Sequence, residues 1–157
     1  MTHGEKARAY FMEGYNCAQA VALAFADEMG VTPEMAARMS SSFGGGLGRM
    51  REVCGSVSGM ALAAGAIFGY DDPKAPDAAE QKKEHYARIQ KLAEEFKAQN
   101  GSIICRELLA GINSDTAPTP EKRTAEYYKK RPCVELVVMA AEILEKELAE
   151  VARNSNS

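Results

Sequence analysis

Four cysteines are the residues of this chain best suited to chemistry: Cys17, Cys54, Cys105 and Cys133. A thiolate attacks disulfides and binds soft metals, whereas a thiol does neither well. No Cys-x-x-Cys occurs, which excludes a zinc knuckle or a thioredoxin-type pair. Any shared site must therefore be assembled by tertiary packing. The local sequence sets each cysteine in a helical first turn: Cys17 after the capping Asn16, Cys54 after a glycine run, Cys105 three residues after Ser102, and Cys133 after Pro132. Free N–H groups and partial positive charge at a helix N-terminus favour thiolate. Cys54, flanked by glycine and close to Arg49 and Arg51, is the expected attacking residue. The competing reading is that each cysteine is a small buried apolar side chain.

The segment Phe43-Gly44-Gly45-Gly46-Leu47-Gly48 fits no regular element. Feeding a helix, it could cradle an anion on its N–H groups, with Gly45, Gly46 and Arg49 as the binding candidates. It has neither the P-loop nor the dinucleotide pattern. Ser56 and Ser58, just beyond Cys54, could donate hydrogen bonds to a thiolate or a bound ligand. His3 is expected in a fraying terminus and His85 facing solvent. Lys82-Lys83 and Lys129-Lys130-Arg131 read as solvated charge runs.

The elements that must position these residues are helices. The chain has 26 Ala against 8 Val, 6 Ile and 5 Thr, and no strand-type alternation. The expected fold is all-α, a single-domain bundle of about seven or eight helices over residues 1–153, with a frayed tail at 154–157. Helices are expected at about 2–13, 17–29, 32–41, 52–68, 77–100, 102–110, 121–130 and 132–152, with a polar loop at 111–120. The Gly/Ala-rich stretch after Cys54 is expected to be the central buried helix, its Gly55, Gly59 and Gly65 allowing close approach. The stripe Tyr86, Ile89, Ala93 and Phe96 on the longest helix suggests a homodimer.

Length and charge bound the function. A chain of 157 residues is one domain. The net charge of −3 argues against a nucleic-acid binder. No apolar run reaches the ~20 residues of a membrane span. The N-terminus has no apolar signal core, so a cytoplasmic location and no membrane partner are expected.

The segments Gly14-Tyr15-Asn16-Cys17-Ala18-Gln19, Phe43 to Gly48 and Cys54-Gly55-Ser56-Val57-Ser58-Gly59, with lone Cys105 and Cys133, resemble the C-GCAxxG-C-C family of redox-active proteins. Ser56 stands where the family motif has Ala. The resemblance covers about Tyr10 to Leu144. It implies a redox or metal-cluster role for the four cysteines but no particular reaction. Two forms are open: a dithiol–disulfide centre, serving a redox partner protein or a small thiol, or a zinc or iron–sulfur site held by all four. The rival class is a non-catalytic helical binding or assembly module with packing cysteines.

Overall fold

The computed structural model describes residues 1–112 and 115–156. Among them are nine α-helices: α1 (His3–Glu13), α2 (Cys17–Ala24), α3 (Ala26–Met29), α4 (Pro33–Ser40), α5 (Gly55–Phe68), α6 (Ala78–Asn100), α7 (Cys105–Leu108), α8 (Ala125–Lys130) and α9 (Cys133–Ser155). The helical class is as expected, and the count is one above the upper expectation. The expected helix over 17–29 is broken at Phe25, whose φ of −114° and ψ of 13° leave the helical region between α2 and α3. Of the loop expected at 111–120, Asn113 and Ser114 lie outside the described residues, as does Ser157 of the expected tail. Helix α9 continues to Ser155, through residues expected to fray.

The central element is α2 rather than α5. Helix α2 buries Ala18, Ala20, Val21, Ala22, Leu23 and Ala24 and packs against α1, α4, α5 and α9. Its small side chains let neighbours close in from several sides. Helix α5 faces α2 through Gly59, where a Cβ would lie 2.6 Å from the Ala18 carbonyl oxygen. That contact forbids even a methyl group, so Gly59 sets the α2–α5 separation. Gly65 has open space around its position, and the close approach expected there does not occur.

Helix α6 packs on α5 and α9. Leu92 and Phe96 are buried, while Tyr86 is exposed. The stripe behind the expected homodimer is thus largely covered within the chain, because its apolar line runs through Leu92 instead of outward through Tyr86. Glu147 of α9 is also buried beneath α6 and is paired with Arg88 at 3.1 Å and Lys91 at 2.8 Å.

His3 does not fray. Its ring stacks on Phe25, with centroids 4.2 Å apart. Its nitrogens meet Glu145 at 2.7 Å and Glu28 at 2.6 Å. Thr2 caps α1 in a capping box with Glu5, so His3 is the first residue of a fixed helix. No helix among the described residues is long and apolar enough to cross a membrane.

Candidate functional site: a four-cysteine cavity

Each cysteine is placed by a separate local device. Cys17 is the first residue of α2. The Asn16 side chain accepts from Gln19 N–H at 2.9 Å, and Gln19 returns a bond to Asn16 N–H at 3.0 Å. The same two side chains donate to the carbonyls of Ser41 and Ala37, both at 3.1 Å. The start of α2 is thereby clamped to the end of α4 and the 3₁₀ turn Ser41–Phe43 that follows it. Cys133 is the first residue of α9, after Pro132.

Cys54 and Cys105 belong to one short antiparallel pairing. Val53 bridges Ile104, Cys54 N–H donates to the Ile103 carbonyl at 2.7 Å, and Cys105 N–H donates to the Glu52 carbonyl at 2.6 Å. The expected helices at 52–68 and 102–110 are shortened by this pairing. Both segments give up helical turns there to satisfy each other's backbone across the loop. Cys54 is the N-cap of α5, and Cys105 opens the single-turn α7.

The glycine-rich loop that precedes Cys54 is strongly left-handed. Gly45, Gly46, Leu47, Gly48, Arg49 and Arg51 all have φ between +55° and +74°. Its backbone closes on itself, with Gly48, Arg51 and Glu52 N–H donating six residues back to Ser42, Gly45 and Gly46. Non-glycine residues in this region cost roughly 1–2 kcal/mol each. Leu47, Arg49 and Arg51 accept that cost. Gly46 could not be otherwise: a Cβ there would stand 2.7 Å from Cys105 Cβ and from Glu52 N.

These devices bring Cys17, Cys54, Cys105 and Cys133 onto the wall of one cavity of about 390 Å³. All four are free thiols. Gly45, Gly46 and Arg49 are on the same wall, but Ser56 and Ser58 are not. Ser56 is fully buried, and its Oγ lacks a partner of ordinary hydrogen-bond geometry. Its nearness still favours the Cys54 thiolate, through backbone N–H and hydroxyl. Ser58 is half-buried beside it.

The wall also carries Arg51, Arg123 and Arg131, against the single carboxylate of Glu121. Arg51 and Arg131 are only 5% and 7% exposed, so Arg131 does not belong to a solvated charge run. It pairs with Glu121. Arg49 binds the carbonyls of Ala117 and Thr119. Arg51 Nε donates to the Asp115 carbonyl at 3.1 Å. Arg123 donates to the carbonyls of Phe11 and Tyr15 at 3.2 and 3.0 Å and lies over the Phe11 ring at 4.3 Å. Arg123 follows Lys122 in a polar stretch and carries no local sequence signal. The one hint at Arg131 is its place two residues before Cys133.

The thiols are not equivalent. The Cys133 thiol is lowered from 9.0 to about 7, first by hydrogen bonding from Cys17 and then by Arg131, Arg123 and Arg51, against the penalty of burial. Cys17 is pushed well up, first by sharing its proton with Cys133, then by burial and the Cys133 charge. The two titrate as a pair, the thiolate on Cys133 and the proton on Cys17. Burial pushes Cys54 up to about 11. Burial also raises Cys105, against the hydrogen bond and charge of Arg51. The thiol held lowest is thus Cys133, not Cys54, the cysteine expected to attack. Helix position alone did not decide acidity. Desolvation at Cys54 outweighed it, and the guanidiniums gather around Cys133 instead.

A metal fits less well. Among the described residues no three His, Cys, Asp or Glu side chains converge closely enough to hold an ion. The four cysteines share a cavity wall without forming a ligand cage, and the surrounding charge is cationic.

Fold and site together define an all-helical protein built around a cavity of four cysteines. A family model described as "Putative redox-active protein (C_GCAxxG_C_C)" matches residues 15–147. The chain belongs to that family. No curated protein and no solved structure matches it.

Proposed function

We propose that this protein is a thiol–disulfide redox protein in which Cys133 attacks and Cys17 resolves. The observation that carries this reading is that Cys17 and Cys133 line one arginine-lined cavity and act on each other's acidity, Cys133 lowered and Cys17 raised. The Cys133 thiolate attacks one sulfur of a disulfide. A mixed disulfide forms, and the other substrate sulfur leaves as a thiolate and takes a proton from water. Cys133 is then neutral, which removes two of the four influences that hold the Cys17 proton, while Arg123 still favours the Cys17 thiolate. Cys17 loses its proton and attacks Cys133 Sγ, and the second substrate thiolate is expelled. One substrate disulfide becomes two thiols, and the protein dithiol becomes the Cys17–Cys133 disulfide. A dithiol redox partner protein or a small thiol restores the reduced pair. Cys54 and Cys105, both raised, are the reserve thiols of the same cavity.

The rival module with packing cysteines fits poorly with four thiols on one cavity wall. The test is to oxidise the folded protein with a small disulfide, block residual thiols and map peptides without reduction. A Cys17–Cys133 bond is expected, and Cys17→Ser should arrest the reaction as a mixed disulfide on Cys133. An unmodified Cys133 in the folded protein overturns the reading.

A further inference from the structure

The cavity that holds the thiols is cationic in a chain whose net charge is −3. The positive charge is therefore local, and it lies where a substrate must enter. Arg49 has carboxylates near it, Asp115 and Glu121 both at 3.7 Å, and Arg131 pairs with Glu121. Arg51 and Arg123 have no carboxylate partner among the described residues; Arg51 contacts the Asp115 carbonyl and the Cys105 thiol, and Arg123 the carbonyls of Phe11 and Tyr15 and the rings of Phe11, Tyr127 and Tyr128. A guanidinium has five N–H donors. Arg51 engages one at the Asp115 carbonyl and one at the Cys105 thiol, and Arg123 engages two at carbonyls, so each retains donors for a ligand. Both line the same cavity wall as Cys133, and their charge favours its thiolate.

The rest of the wall limits the ligand's size. A cavity of about 390 Å³ is at the small end of ligand pockets. It suits a small molecule better than a protein surface. Leu108, Leu109, Leu136 and Tyr127 supply apolar wall, suited to a short methylene chain between charged ends.

We propose that the cavity selects small disulfides that bear carboxylates, with Arg51 and Arg123 receiving the carboxylates while Cys133 attacks the S–S bond. This substrate class rests on the thiol–disulfide reading above. The bonds made and broken are those already given: one substrate disulfide yields two carboxylate thiols, and the Cys17–Cys133 dithiol is oxidised. Guanidinium and carboxylate match as planar, two-pronged partners, so recognition is geometric as well as electrostatic.

The test uses the intact reduced protein and three disulfides of similar size: 3,3′-dithiodipropionate, bis(2-hydroxyethyl) disulfide and cystamine. Oxidation of the Cys17–Cys133 pair is followed for each at neutral pH and low salt. Each rate is divided by that of a free small thiol with the same disulfide, which removes differences in leaving group. The expected order is anionic, then neutral, then cationic, with at least ~10-fold between the extremes. The spread should shrink when salt is raised to about 0.5 M, where screening is short-ranged. Arg51→Gln and Arg123→Gln should each slow the anionic probe and speed the cationic one, a change of preference that simple loss of fold cannot produce. Equal normalised rates, or a faster cationic probe, overturn the carboxylate proposal and leave the redox reading standing. No reaction with any of the three overturns both.

Discussion

Removing the Cys17 thiol tests the site at its most informative point. In Cys17→Ala, Cys133 loses the hydrogen bond that contributes most to its acidity, while its burial and its arginines remain. The folded Cys133 lies at about 7 against an ordinary 9.0. That drop amounts to roughly 3 kcal/mol of preference for thiolate. Loss of the largest contribution should raise the value by ~1–2 units. At pH 7 the thiolate fraction then falls from about one half to between ~1% and ~9%, so alkylation slows ~5- to 50-fold. The assay is the pH profile of iodoacetamide labelling at Cys133, read by peptide mass, in the parent and in Cys17→Ala. The parent should show a midpoint near 7, and the variant a midpoint displaced upward. Cys17→Ser, which retains a donor, should fall between them. An unmoved midpoint would mean that the arginines alone make Cys133 acidic, and the proton-sharing pair would be abandoned.

Stability should depend on pH through the same thiols. Between pH 7 and 9 the unfolded Cys133 holds a proton that the folded one has lost, so stability should rise with pH there, by at most roughly 3 kcal/mol. From 9 to 11 the folded Cys54 holds a proton that the unfolded one has lost, so stability should fall. Urea midpoints across this range should therefore peak near pH 9, and Cys133→Ser should flatten the rising limb. Gly59→Ala should cost about 1–3 kcal/mol by forcing α5 away from the Ala18 carbonyl; an unchanged thermal midpoint would mean the two helices can part freely. Glu147→Ala should cost about 1–3 kcal/mol in chemical denaturation, because it strips Arg88 and Lys91 of their buried partner, although the half-exposed Lys91 is partly compensated by water.

Much of this protein can be read in local sequence. The all-helical class follows from alanine excess and scarce β-branching. Asn16, Thr32 and Gly30 mark helix ends because capping is a matter of a few neighbouring residues. The four cysteines stood out by type and by their places at helix starts. What tertiary structure decided was which cysteine is acidic. That depends on desolvation and on charges from distant segments. Arg123 and Arg131 act on Cys133 together with Arg51, some 80 residues away along the chain, and no periodicity announces such a meeting. The pairing of Val53 with Ile104 likewise overrode local helical propensity, because two backbone strands brought close across the loop satisfied each other's donors. The central role of α2 had the same origin. Small residues permit close packing on every side, but only the folded arrangement of α1, α4, α5 and α9 around them determined which alanine-rich helix was enclosed.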